Sequence, residues 1–461
     1  MNLLKKHFRD YKKAGGTKEL LILAFPMIIS TACDGIMTFT DRFFLAKLGP
    51  ELMNAAMGGA VTFQMLTFFF MGLTGYSTAL VAQYFGAGER FNSTRAAFQA
   101  ILITLLAWPV IVLAKPLAVS FYHLIELPTS QLNYQVEYLG ILVWGGLFGM
   151  LRYTLGCYFT GIGKTKVVMV ATLAAMLVNV VLDYILILGK LGLEPMGIRG
   201  AAYATISGAA VSVIILIVAY LSKVNRDLFG VIHSFRFSPV IMKKLLRFGY
   251  PAGLEFFLNF LAFFVMISLF HSQGDVVATA TTIMFNWDLV SFIPLLGIEV
   301  AVTSLVGRYM GAGRPQVAHR AALSGIRTGV FYSGVILVLF LFVPQALVRI
   351  FEPATWDLIF EESVPLAISM IRIAALYVLV EAVIVALVGA LRGAGDTFFT
   401  MVASVLAHWF FVPILWVSFN VFQVSVVTAW FLLVIFFLFF SLVFYLRFKS
   451  GKWKLIKVID K

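Results

Sequence analysis

Gln83-Tyr84-Phe85-Gly86-Ala87-Gly88 comes back 225 residues later as Arg308-Tyr309-Met310-Gly311-Ala312-Gly313. At the same offset Phe25-Pro26 becomes Tyr250-Pro251, and Gly161-Ile162-Gly163-Lys164-Thr165 is echoed at an offset of 232 by Gly393-Ala394-Gly395-Asp396-Thr397. Three matched landmarks in one order mark an internal duplication, the device from which many membrane bundles are built. The material between them belongs in lipid. Of 461 residues, 61% are apolar and 12% charged, against roughly 45–50% and about 25% in a soluble domain. The 45 Phe and 8 Trp are spread over the whole length, so the excess is not one anchor on a soluble body. Runs such as Ile101 to Ala114 and Phe431 to Tyr445 do not alternate polar with apolar residues, which excludes a β-barrel. At about 20 apolar residues per crossing, the chain reads as an all-α membrane protein of twelve spans in two similar six-helix lobes. An even number of spans per half starts both halves on the same side, so the pseudo-two-fold axis relating them lies along the membrane normal.

Charge placement sets the orientation. With a cytoplasmic N-terminus, most of the 35 Lys and Arg fall on the cytoplasmic side; Lys47, Lys115, Lys190, Arg199 and Arg349 fall outside, and Arg42, Arg152 and Arg372 within spans. This is the positive-inside bias. The net charge of +13 therefore serves topology and contact with anionic membrane lipids rather than nucleic acid. Lys5, Lys6, Arg9, Lys12, Lys13 and Lys18 form a basic arm before a first span that is too long for a cleaved signal and lacks a cleavage site. The expected division is an N-lobe over 1–222, a cytoplasmic linker over 223–244 and a C-lobe over 245–461, both termini being cytoplasmic and the cell inner membrane the location. The strip from Lys223 to Arg247, carrying Arg226, Arg236, Lys243 and Lys244, suits the inner leaflet. Pro26 and Pro251 sit early in the first helix of each half, as hinge or as static kink. Cys33 and Cys157, each in an apolar stretch, read as packing residues with no disulfide or thiolate metal site.

Asp34, Asp41, Asp183, Glu255, Asp288, Glu299 and Glu381 stand inside apolar spans. A charge at the centre of a lipid-phase helix costs on the order of 2.5–3.5 kcal/mol. A carboxylate facing a wet cavity avoids that cost by taking a proton or binding Na⁺; one facing an arginine such as Arg42, Arg372 or, for Glu299, Arg308 avoids it by pairing. Asn179 precedes Asp183 by four residues, Glu255 precedes Asn259 by four and Tyr377 precedes Glu381 by four. Each pair shares a helix face. Asp41, Asn179, Asp183, Glu255, Tyr377 and Glu381 are the candidates for coupling to H⁺ or Na⁺. Asp41, Asp183, Asn259, Asp288 and Glu381 are candidates for holding a cationic substrate, with Phe63, Phe68, Trp287 and Tyr377 as cavity walls. Asp34 matches Asn259 at the 225 offset and could hydrogen-bond rather than titrate.

Motifs for other chemistry fail on spacing. Gly163-Lys164-Thr165 resembles the end of a phosphate-binding loop, but the required Gly five positions before Gly163 is Tyr158. Gly393-Ala394-Gly395-Asp396 matches an intramembrane aspartyl protease signature, yet no Tyr-Asp partner occurs, only Asp183-Tyr184 in reverse order. Both read as Gly-rich turns. No His-Glu-x-x-His zinc helix occurs and His408 stands alone in an apolar span. No enzyme and no cofactor is expected, and a gradient is the expected energy source.

In order and spacing, these landmarks resemble the multidrug and toxic compound extrusion family, MATE, over nearly the whole chain. The carrying residues are Pro26 with Asp41, Gln83 to Gly88, Asn179-Val-Val-Leu-Asp183-Tyr184 with Gly189-Lys190-Leu191-Gly192, Gly249-Tyr250-Pro251-Ala252-Gly253, Gly307 to Gly313, and Leu391-Arg392-Gly393. The resemblance implies a V-shaped pair of six-helix lobes and an antiporter, a monomer, that exchanges H⁺ or Na⁺ for amphiphilic cationic drugs. Carried over by position, Asp41, Asn179, Asp183 and Thr205 form the N-lobe cation site, where Na⁺ could bind, and Tyr377 and Glu381 the C-lobe group. One branch of the family has a seventh-helix glutamate where this chain has Asn259; Glu255, one turn earlier, is the acid available here. The alternatives are a flippase for lipid-linked saccharides, which should gather Arg or Lys in its cavity, and an intramembrane enzyme.

Overall fold

The structure is a computed structural model that describes residues 11–124, 127–353 and 356–459; Lys5, Lys6 and Arg9 of the basic arm lie outside these residues. Among the described residues, twelve helices are long and apolar enough to cross a membrane. They are α1 Thr17–Ala46, α2 Glu51–Gly86, α3 Arg90–Leu124, α4 Gln131–Gly161, α5 Thr165–Ile187, α6 Ile198–Tyr220, α7 Pro239–His271, α8 Asp275–Gly311, α9 Pro315–Phe342, α10 Leu358–Ala394, α11 Thr397–Asn420 and α12 Val426–Lys449. The shortest have 23 residues, about 34 Å at 1.5 Å per residue, enough for a hydrocarbon core of about 30 Å. No strand occurs among the described residues, as expected where no water is available to satisfy an open sheet edge.

The duplication appears in the backbone. Gly88 (φ 84°) and Gly313 (φ 70°) close α2 and α8, and Gly163 (φ 78°) and Gly395 (φ 95°) close α4 and α10. Matched glycines thus occupy matched left-handed turns, a conformation that a side chain with Cβ resists.

The described residues fall into two compact units. One comprises those of Phe25–Leu254, Gly311–Gly313 and Val458–Lys461; the other those of Met1–Ala24, Glu255–Met310 and Arg314–Lys457. The division between the units falls within α1 after Ala24, close to Pro26, and within α7 after Leu254, close to Pro251. In the second unit, Ser324 donates to the Gly15 carbonyl (3.0 Å) and Tyr309 donates to Glu19 (2.7 Å), so the start of α1 is bound to α8 and α9. In the first, α7 runs backbone to backbone along α2: a Cβ on Gly72 would stand 2.5 Å from the Ala252 carbonyl oxygen. Gly72→Leu must push these backbones apart and is expected to cost about 1–3 kcal/mol. A lowered melting temperature in detergent checks this, with Gly334→Ala, where nothing lies within 4 Å, as the neutral control.

Each unit has its own core. Phe270, Trp430, Met370 and Phe419 centre that of the C-terminal unit, and Leu45, Tyr138, Ile187 and Ala201 one of those in the N-terminal unit. Cys33 and Cys157 are free and buried.

Candidate functional site

In the N-terminal unit the acids of α1 and α5 meet. Asp41 comes from the upper part of α1, Asn179 and Asp183 from one face of α5, and Thr205 from α6. Asn179 donates its amide to Asp41 Oδ1 (3.1 Å) and Thr205 its hydroxyl to Asp41 Oδ2 (3.1 Å). The Asp183 carboxyl stands beside that of Asp41. Asn179 and Asp183 are wholly buried. Both carboxylate oxygens of Asp183 and the Asn179 amide oxygen have no hydrogen-bond partner. Among the described residues no arginine is ion-paired with either acid; the groups bound to Asp41 are an amide and a hydroxyl.

Local backbone makes this arrangement possible. From Asp183 to Ile187 the α5 backbone widens into a π-turn, a feature often found where a functional side chain must be re-aimed. Gly200 and Gly208 let α6 approach α5: a Cβ at Gly208 would stand 2.8 Å from the Ala175 carbonyl, and one at Gly200 would stand 2.8 Å from the backbone of Leu186. Close approach of the two helices brings Thr205 within reach of Asp41.

The C-terminal unit holds two separate acidic groups. In the first, Tyr377 of α10 donates to Asp288 Oδ1 of α8 (2.9 Å), and Glu381, one turn below Tyr377, lies close enough to couple to Asp288 electrostatically. Glu381 is buried and its Oε2 has no hydrogen-bond partner. Tyr332 of α9 completes this cluster and donates to the Ser291 carbonyl (3.1 Å). The spacing-based expectation paired Tyr377 with Glu381; the tyrosine hydroxyl turns instead to Asp288, 89 residues away in sequence.

The second group is a triad. Arg392 of α10 reaches Glu255 of α7 (3.1 Å) with one nitrogen and Glu299 of α8 (2.5 Å) with the other. Its guanidinium also lies over the Phe256 ring, 5.4 Å from the centroid. Glu255 is therefore paired with a cation that sequence reasoning did not assign to it. Of the two readings open for Glu299, titration or pairing with Arg308, the structure shows pairing but with Arg392, while Arg308 faces Glu19 (3.7 Å). A usable signal was present: Arg392 sits beside the Gly393 to Gly395 turn, at the end of a span that also carries Glu381.

The remaining candidates lie outside these groups, each with its own partners. Asp34 is held by Arg152 (2.8 Å), an arginine other than the two considered from sequence. Asn259 donates to Ser404 (2.6 Å), whose carbonyl bonds His408 Nδ1 (2.8 Å); the ring is packed edge-on against Phe436 and Phe440. Trp287 donates to the Leu347 carbonyl (3.0 Å) and pins the short helix Pro344–Arg349. Phe63 lies under Gly146 between α2 and α4. Asp396 of the Gly393-Ala394-Gly395-Asp396 turn is clamped by Arg447 through two bonds of 2.7 and 2.9 Å, a structural ion pair at the helix ends. Pro26 and Pro251 lie within continuous helices.

Comparison with known proteins places this architecture. The MatE family profile matches residues 26–185 and 251–417, one block in each half of the duplication. The probable multidrug resistance protein NorM of Thermotoga maritima is 26% identical over 451 residues, covering 96% of this chain and 94% of its own. The multidrug resistance protein PmpM of Pseudomonas aeruginosa is 28% identical over 407 residues, covering 85% and 81%. Among solved structures, an outward-facing multidrug resistance MATE family transporter of the MOP superfamily superposes with a TM-score of 0.86 at 21% identity, over 95% of this chain and 96% of that one. A MOP superfamily transporter from Pyrococcus furiosus matches with a TM-score of 0.86 at 22% identity, with the same coverage. Duplicated sequence blocks, twelve membrane-length helices and these full-length matches agree: the chain belongs to the MatE family, a family of membrane transporters.

Proposed function

We propose that this protein exports amphiphilic organic cations in exchange for H⁺ or Na⁺ by alternating access, and that the Asp41–Asp183 pair is the coupling site. The observation that carries this reading is a buried set of acceptors with too few donors. Asp41 is satisfied by Asn179 and Thr205, while both Asp183 oxygens and the Asn179 amide oxygen are unpartnered. Two adjacent carboxylates in a dry site repel each other, and unmet acceptors cost free energy. One proton shared between the acids, or one Na⁺ on these hard oxygens, removes both penalties. Binding an inorganic cation cancels the negative charge that attracts an organic one, so occupancy by either weakens the hold on the other. Each charge moved down 100 mV contributes about 2.3 kcal/mol, enough for a roughly fiftyfold concentration ratio.

No cofactor enters this scheme. The chain acts as a monomer in the inner membrane with both termini cytoplasmic, and the changeover of α1 and α7 between compact units beside Pro26 and Pro251 suits a hinge at each proline. The Asp288–Tyr377–Glu381 cluster is the group we assign to the organic cation in the C-terminal unit, where the buried Glu381, the half-buried Asp288 and two tyrosine rings combine charge with aromatic surface. Glu381→Gln is expected to raise the KM for ethidium about tenfold, the loss of about 1.4 kcal/mol of binding, with the dependence on the ion gradient unchanged; initial rates in everted vesicles check this.

Proteoliposomes loaded with one cationic dye, given a pH gradient or a Na⁺ gradient one at a time, test the whole reading. Dye movement driven by one of the gradients is expected. No movement with either, together with translocation of a lipid-linked oligosaccharide, would replace it with the flippase reading.

A further inference from the structure

The start of α7 carries a groove of about 690 Å³. Phe237, Met242, Leu246 and Tyr250 line it, and Lys243 and Arg247, one helical turn apart, stand along it. Phe237, Leu246 and Tyr250 are exposed, so an apolar strip and two cations open side by side. The groove is preformed, because its approach is tied down by side chains of α3. Gln99 donates to the Arg236 carbonyl (3.1 Å) and accepts from the Ser238 amide (3.1 Å), while Thr94 donates to the Phe229 carbonyl (3.1 Å).

Lys243 and Lys244 stand in the second turn of α7 and Arg247 in the third, and no acid stands in its first turn to offset them. Between Lys223 and Arg247 the only acid is Asp227. The duplication supplies an internal control. At the 225 offset Leu246 and Tyr250 correspond to Leu21 and Phe25, so this part of the apolar strip is repeated, but Phe237 and Met242 correspond to Lys12 and Thr17, Lys243 and Arg247 to Lys18 and Ile22, and Lys244 to Glu19. The cationic pair belongs to one half alone, so the shared fold does not require it.

We propose that this groove is a binding site for one anionic glycerophospholipid, with the phosphate between Lys243 and Arg247 and an acyl chain along Met242, Leu246 and Tyr250. An organic cation is repelled by the pair, and a free anion would leave the apolar strip uncovered. The groove shares no residue with the three acidic groups and does not depend on the roles proposed for them.

Native mass spectrometry of the full-length protein in mild detergent, titrated with phosphatidylglycerol or phosphatidylcholine, tests the site. The expected result is one retained phosphatidylglycerol, bound about thirtyfold more weakly by K243Q/R247Q, from the two basic residues removed. K449Q/K452Q, which removes two cations that belong to the other compact unit and do not line the groove, should bind as wild type does. L246W, which fills the groove and keeps its charges, should also lose the lipid, and K243R/R247K should keep it. Equal retention by K243Q/R247Q and K449Q/K452Q, equal binding of phosphatidylcholine, or unimpaired binding by L246W would overturn the site. Displacement of the lipid by soluble glycerol 3-phosphate at similar concentration would reduce it to an anion site and equally overturn the proposal.

Discussion

Asp183→Asn is expected to remove gradient-driven export while leaving the protein folded and inserted. The amide has the shape of the carboxylate, and its NH₂ can donate to the acceptors that now lack a partner, so the fold loses nothing. What disappears is the second negative charge beside Asp41. A neutral group cannot alternately hold a small cation and attract a large one, so ethidium resistance in a pump-deficient host should fall at least about tenfold, more than 1.4 kcal/mol of driving interaction. Asp41→Asn should behave alike, with one difference. Asp41 anchors Asn179 and Thr205, so its replacement also disturbs α5 against α6 and should lower the melting temperature. Immunoblots of membranes separate failed transport from failed insertion. Normal export by both variants would reject the coupling site.

The second large effect is on stability. Arg392→Gln leaves the buried Glu255 and the partly buried Glu299 without their shared counter-charge. Removing one member of a buried ionic group typically costs about 3–5 kcal/mol, because the stranded charge keeps its desolvation penalty. The variant should be recovered in low yield or melt well below the wild type. Arg392→Gln combined with Glu255→Gln and Glu299→Gln removes every charge of the triad and should regain most of the loss, since a neutral, hydrogen-bonded group replaces the ionic one. If the triple variant were no more stable than the single one, Arg392 would matter for packing, over Phe256 for example, rather than for charge. Glu255→Gln alone should leave Arg392 paired with Glu299 and cost less than Arg392→Gln.

The two predictions concern acids that look alike in the sequence. Asp183 has Asn179 one turn before it, and Glu255 has Asn259 one turn after it. Helical spacing identified a shared face in each case and could not say what lay opposite. For Asp183 it is another carboxylate, from a helix that begins more than a hundred residues earlier; for Glu255 it is a guanidinium 137 residues later. Tyr377 shows the same limit, being one turn from Glu381 yet bonded to Asp288. The Asp183 to Ile187 π-turn leaves no trace in hydropathy because widening a turn changes which way side chains point without changing which residues are apolar.

The chain by itself determined its solvent, its twelve crossings, its duplication and the positions of its turns. These follow from composition and from glycines whose conformations are local properties, felt within a few residues along the backbone. Only the packing of helices decided which buried acids keep their charge unpaired and which are given an arginine. That choice depends on the rotation and depth of segments far apart in sequence, and a carboxylate's environment, unlike its helix, is made by its neighbours in space.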